Sequence, residues 1–119
     1  SSRRVGDAMS VVAILCRDRS LKASVAADEA MCDTLVSFCD DRHLTLKKGE
    51  RDLYEARKGR AMEAVLDMSS TEPRFRARVS ARRDLAAILA SAVCGRGGAA
   101  RGCALRLVRM LSDVRDEVA

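Results

Sequence analysis

Cys32, Cys39 and His43 are the residues of this 119-residue chain whose types and spacing could bind a metal ion. Steps of seven and four residues place the three side chains on one face of a helix. Seven helical residues span about 10.5 Å, so Cys32 and Cys39 cannot bind the same ion. Cys39 with His43 supplies only two of the four ligands that structural zinc takes. We therefore predict no metal site and no cofactor, but buried thiols and a histidine at a helix C-terminus, where positive charge is favourable.

The pair Cys39 and His43 is also the one candidate for nucleophilic catalysis, because a cysteine nucleophile needs a nearby base. No Asp or Asn that would orient the histidine can be identified, and the carboxylates show no acid–base pairing. The glycines of residues 95–98 lack the preceding strand and the Lys-Ser/Thr pair of a phosphate-binding loop. We predict no catalytic residue. An enzyme built on Cys39 and His43 is the alternative that a Cys39→Ala variant would test.

Arginines are the residues that do suggest a function. The chain has 22 Lys+Arg against 17 Asp+Glu, a net charge of +5. Three arginines recur every four residues near residue 78, which suits an acidic peptide or a nucleic-acid backbone. The alternative is a solvated face that Glu72 and Asp84 partly neutralise. The residues predicted to contact a partner are Arg74, Arg78, Arg82, Arg83, Arg106 and Arg109.

Composition favours a single all-α domain over residues 1–119. Hydrophobic residues make up 48%, aromatic residues only 3%, and there is one Pro. Such a composition favours helix over sheet. The five cysteines are odd in number and lie mostly among apolar neighbours, which indicates free thiols in a reducing compartment. No apolar run approaches about 18 residues, so we expect no membrane span. The first residue is not Met, which indicates a fragment of a larger protein.

Helical periodicity divides the chain at two clear boundaries. Residues 69–73 contain Ser, Thr and Pro73, which is tolerated in the first turn of a helix, and residues 95–98 contain three glycines. Before the first boundary we predict one long helix over residues 49–68, whose first half is more exposed. The last helix carries an apolar stripe that we expect to be buried, formed by Ala100, Cys103, Ala104, Leu107, Val108, Leu111 and Val114.

A pattern of Ala, Val and Leu occurs three times, in residues 8–15, 61–68 and 104–111. Ala61 follows Ala8 by 53 positions, and Ala104 follows Ala61 by 43. The helices after the first two copies align with a shift of 54, as in Met31 with Leu85 and Leu35 with Leu89. Such repetition indicates helical layers that bury apolar faces against each other.

In these motifs the chain resembles the armadillo repeat family. Each of the first two copies looks like an Ala-led helix, a linker with an apolar residue, and a Leu/Val helix, and the third looks like the start of another unit. The resemblance implies a short right-handed superhelical solenoid of about two and a half to three units, in which residues 41–58 are an insertion or an elongated helix. An irregular helical bundle is the alternative fold. The Asn that peptide-binding members use is replaced by Ile14, Asp67 and Met110, so their grip on a peptide is not implied.

The expected function is therefore a non-catalytic protein–protein interaction scaffold, cytoplasmic in preference to nuclear, that binds a partner protein or an acidic peptide on a helical face. Self-association through exposed end helices is a second expectation, because a short stack leaves an apolar end face. The alternative function is a nucleic-acid-associated helical domain whose arginines contact phosphates. It is less favoured because single-strand binding adds stacking aromatics, and this chain offers only Phe38, Tyr54 and Phe75.

Overall fold

The computed structural model describes residues 11–12, 14–42, 44–95 and 98–118, with residues 114–118 described by their backbone alone. Every regular element in these ranges is a helix, which confirms the all-α prediction. Residues 11–12 and 14–17 are helical. Six helices follow: α1 Arg19–Ala27, α2 Glu29–Ser37, α3 Lys48–Thr71, α4 Pro73–Ser80, α5 Leu85–Val93 and α6 Ala99–Val118.

Local sequence signals determine where these helices begin. The carboxylate of Asp18 accepts a hydrogen bond from the Ser20 backbone N–H at 2.9 Å, and that of Asp28 accepts one from Met31 at 3.1 Å. Both are N-caps, since they satisfy backbone donors that have no partner within the helix. Pro73 is the first residue of α4, as predicted. Gly98, with a φ of 83°, leads into α6, in a conformation that favours glycine.

The long helix α3 has 24 residues and covers the predicted range 49–68. Its first half is largely exposed, as expected, and Leu53 there is 55% exposed. Its second half contributes Ala61, Met62, Val65 and Met68 to the core. The repeated apolar pattern therefore coincides with the buried half of the helix, while the polar segment before it extends the helix into solvent.

Packing centres on α3, which contacts α2, α4 and α6. Helix α6 packs on α3 and α5, and α4 also contacts α1 and α2. A Cβ at Gly59 would lie 3.3 Å from Ala99 Cβ, and the pKa of the Cys103 thiol is raised by burial and by the nearby charge of Glu63. Because Glu63 lies four residues after Gly59 and Cys103 four residues after Ala99, α3 and α6 run in the same direction. The radius of gyration is 13.7 Å, close to the value of about 13.5 Å for a compact chain of this length.

Most of the predicted stripe of α6 is buried, including Ala104 and Leu107, but Val108 is 44% exposed. The prediction of a buried Val108 is wrong because α6 packs mainly on α3 and α5, and Val108 lies on a face that these two described helices leave open. Ala8, His43 and the side chain of Val114 lie outside the described residues. No helix within the described ranges has both the length and the apolar character needed to cross a membrane.

Candidate partner-binding surfaces

Three of the predicted arginines line one groove. Arg74 and Arg78 lie on α4, Arg82 lies just after its end, and together with Glu29 and Asp33 of α2 they line an open space of about 710 Å³. The four-residue spacing places Arg74 and Arg78 on one side of α4, while the first half of α2 supplies the acids. We call this surface the arginine groove.

Two of these arginines are already neutralised by the fold. Arg78 Nη2 lies 2.9 Å from Glu29 Oε2. Arg82 donates from Nε and Nη2 to the two Asp84 carboxylate oxygens, each at 3.0 Å, and from Nη1 to Asp33 at 3.2 Å. The hydrogen bonds from Arg82 lower the pKa of Asp84, and the bond to Glu29 raises the pKa of Arg78. The charges of Arg78 and Arg82 therefore hold the α4 region against α2 and are not free to pair with a partner protein.

Sequence reasoning identified only part of this neutralisation. Asp84 was expected beside the cluster and lies there, but Glu72, the N-cap residue of α4, forms no ion pair with these arginines in the described part of the chain. The partners on α2, Glu29 and Asp33, were missed. They lie about fifty positions earlier in the sequence, and only the packing of α2 on α4 brings them into contact.

The other four predicted arginines are exposed, and none pairs with a carboxylate among the described residues: Arg74, Arg83, Arg106 and Arg109. Arg74 lies in the arginine groove and Arg83 in the turn before α5. Arg106 and Arg109 lie on α6, which packs on α3 and α5 rather than on α4. The structure therefore does not gather the six predicted residues into one site.

A second groove, between α5 and α6, is apolar. It encloses about 450 Å³, and its lining contains no charged residue. Leu105 and Val108 in its wall are 50% and 44% exposed. We call it the apolar groove; its main lining residues are Leu85, Leu89, Val93, Leu105, Val108 and Leu111. Exposed apolar side chains grouped in a concave surface are a mark of binding sites.

A buried polar contact joins three elements on another side of α3. Lys58 is 3% exposed, and its Nζ lies 2.9 Å from Asp41 Oδ2 in the segment after α2. The other oxygen of Asp41 accepts a hydrogen bond from Ser91 of α5 at 3.2 Å. Nearby, Tyr54 donates to the Phe38 carbonyl at 3.3 Å, and burial raises the pKa of this phenol. The contact therefore ties the segment after α2 to both α3 and α5.

The cysteines are free, and four of the five are buried. Burial raises the pKa of Cys39 to about 12 and that of Cys16 to about 11, and it also raises the pKa of Cys32 and Cys103. A raised pKa keeps a thiol protonated, whereas a nucleophile or a metal ligand must be a thiolate. Cys94, at the edge of the apolar groove, is the exposed one. Within the described ranges no three His, Cys, Asp or Glu residues are grouped to hold a metal ion.

Comparison of the chain with protein-family models, with curated proteins and with solved structures found no match. The chain is therefore classified by its own structure. The regular elements of its described residues are all helical, and their surface carries the arginine groove and the apolar groove.

Proposed function

We propose that this protein is a non-catalytic protein–protein interaction scaffold that binds a partner protein or an acidic peptide on its last helices. One observation carries the proposal: the exposed arginines Arg74, Arg83, Arg106 and Arg109 have no carboxylate partner in the described part of the chain, whereas Arg78 and Arg82 are neutralised. Cations that the fold does not use for its own packing remain available to an acidic partner.

The proposed architecture is a short right-handed armadillo-like solenoid, with residues 41–58 as an insertion or an elongated helix before the second unit. Two contacts support it. The second and third copies of the pattern lie on the parallel neighbours α3 and α6, and α4 contacts α1, its counterpart at a shift of 54. Layers that stack in this way present long surfaces to partners. Because the buried thiols are free, we place the protein in a reducing compartment, in the cytoplasm in preference to the nucleus.

The experiment uses a fluorescent Asp/Glu-rich peptide pool and measures binding by anisotropy. We expect the double variant Arg74→Ala/Arg83→Ala to weaken binding by about tenfold, because each lost ion pair costs up to about 1 kcal/mol. The matched control removes two exposed lysines at the start of α3, Lys47→Ala/Lys48→Ala. An equal loss of affinity in both variants would mean that binding depends only on the net charge of the protein. The proposal of a specific binding surface would then fail.

The second candidate function is nucleic-acid binding through the same arginines. The spare positive charge favours it, but the neutralised Arg78 and Arg82 leave fewer contacts for phosphates. A protein that neutralises phosphates loses affinity steeply as salt rises. Binding to single-stranded RNA or DNA that does not fall between low and moderate salt would eliminate this candidate.

A further inference from the structure

Equivalent positions in α3 and α6 differ in burial mainly on one face. Ala61 and Ala104, separated by the repeat interval of 43, are both 0% exposed. On the neighbouring face, Met62 is 1% exposed but Leu105 is 50%, and Val65 is 3% exposed but Val108 is 44%. The apolar pattern that α3 buries on two sides is therefore buried on only one side of α6.

The helix α4 is a neighbour of α3 that has no counterpart on α6 among the described residues. It follows α3 and contacts both α3 and α2. The counterpart of α2 in the next layer is α5, since Leu35 aligns with Leu89 at a shift of 54. No described helix takes the corresponding place on α5 and α6, and the apolar groove lies at that position.

Helix α4 shows what such a groove accepts. It has 8 residues, and it buries Phe75 to 0% and Val79 to 1% exposure, four positions apart on one face. Arg78, next to Val79, then pairs with Glu29 of α2. Within this chain, the equivalent groove is therefore filled by a short amphipathic helix. That helix inserts one apolar pair and carries a charge opposite to that of the neighbouring side chain.

The exposed charges at the rim of the apolar groove are mostly cationic. The counterpart of Glu29 at a shift of 54 is Arg83, which is exposed. On α6, Arg101 and Arg109 lie one turn before and one turn after Leu105, and both are exposed. No charged residue lines the groove itself, and Asp113, next to Ser112 of the lining, is an exposed acid on the same helix. Because Arg83 takes the place of the Glu29 that pairs with Arg78, an occupant of this groove should carry an acid at that point.

We infer that the apolar groove between α5 and α6 binds an amphipathic helix of a partner protein, which inserts an apolar pair spaced four residues apart and places Asp or Glu against Arg83, Arg101 and Arg109. The inference rests on the proposed scaffold function and specifies its binding face and the chemistry of its partner. A second copy of this chain fits less well, because its net charge is +5 and the rim is already cationic. A nucleic acid would find few polar groups in the groove.

The test uses a fluorescent alanine–glutamate peptide of about 15 residues, long enough to form an isolated helix, with Phe and Val four positions apart. Anisotropy measures its binding to the full chain. We expect Leu105→Glu/Val108→Asp to weaken binding by at least about tenfold, the effect of losing one well-buried apolar contact. Leu53→Glu, at an equally exposed leucine outside the groove, should leave binding unchanged. All three substituted positions are exposed, so circular dichroism should show that both variants are folded.

Cys94 supplies an independent readout. It is the exposed cysteine, and it lines the groove, whereas the other four are buried. A thiol reagent should therefore label Cys94 first, and the bound peptide should slow that labelling by about tenfold or more at saturation. A peptide with Phe and Val moved to two positions apart should give neither binding nor protection.

The inference is overturned if the peptide does not bind, if Cys94 is not protected, or if Leu105→Glu/Val108→Asp has no effect. It is also overturned if the wild-type chain self-associates in sedimentation experiments and this double variant does not, since a second copy would then occupy the groove. The scaffold proposal has its own failing result: Arg74→Ala/Arg83→Ala does not change the affinity for acidic peptides, whatever their sequence. If the helical peptide does not bind but the acidic peptide pool still binds in a way that depends on Arg74 and Arg83, the inference is wrong and the scaffold proposal stands.

Discussion

Helices α3 and α6 carry the same apolar pattern but have different surroundings. Helix α3 contacts α2, α4 and α6, and its second half also pairs with Arg17 and with Lys22 of α1, whereas the main neighbours of α6 are α3 and α5. As a result Val65 is 3% exposed and Val108 44%. The comparison teaches that the pattern defines which faces of a helix can be buried, while the number of neighbouring helices decides which faces are buried.

The strongest test of this comparison truncates the same position in each helix. Met62→Ala should lower the free energy of unfolding by about 2–5 kcal/mol, because it leaves a cavity in the core. Leu105→Ala should change it by less than about 0.5 kcal/mol, as is usual for exposed sites. Urea unfolding measures both. Similar values for the two variants would mean that α6 is covered on both faces in solution.

A second test compares Lys58 of α3 with Arg101, its counterpart at the interval of 43. Lys58→Ala should cost about 1–3 kcal/mol, since it leaves the part-buried Asp41 without its cation. Arg101→Ala should stay within about 0.5 kcal/mol of the wild type. Lys58→Met retains the apolar stem and should separate the loss of packing from the loss of charge. If Lys58→Ala were as mild as Arg101→Ala, the buried ion pair would not stabilise α3.

Gly59 and Gly102 are separated by the same interval, and replacing each with Ala should change the stability in opposite directions. A Cβ at Gly59 would lie 3.3 Å from Ala99 Cβ, while a Cβ at Gly102 would meet nothing within 4 Å. Gly102→Ala should stabilise the protein by about 0.5–1 kcal/mol through helix propensity. Gly59→Ala should instead destabilise it by about 1 kcal/mol, because α3 and α6 must move apart. Thermal unfolding would reveal both shifts, and a stabilised Gly59→Ala variant would contradict the close approach of the two helices.

The smallest expected effect concerns the ion pair between Arg82 and Asp84, in the turn between α4 and α5. The pKa of Asp84 is lower in the folded protein than the unfolded value of about 3.9, so its contribution is present above that pH and is lost as the pH falls through the folded pKa. Asp84→Asn should cost about 0.2–1 kcal/mol at pH 7, because the pair with Arg82 is partly exposed. It should also flatten the acid limb of the stability curve. An unchanged acid limb would show that Asp84 contributes nothing to the fold.

The sequence was informative wherever a signal is local. The helix starts at Asp28 and Pro73 and the length of α3 follow from capping residues and periodicity, which act within a few positions. The pairing of Arg78 with Glu29 did not follow, because it depends on how α4 crosses α2. The exposed Val108 was missed for a similar reason: periodicity identifies an apolar face but does not count the helices that cover it.

The Asp41 carboxylate contacts Lys58 and Ser91, and so connects the segment after α2 to two helices that follow it in the chain. Opening that segment breaks bonds on α3 and α5 at once. Amide hydrogens of α5 should therefore exchange with solvent at the same opening free energy as those near Asp41, as one cooperative unit. The first half of α3, with its exposed Leu53, should exchange faster and independently.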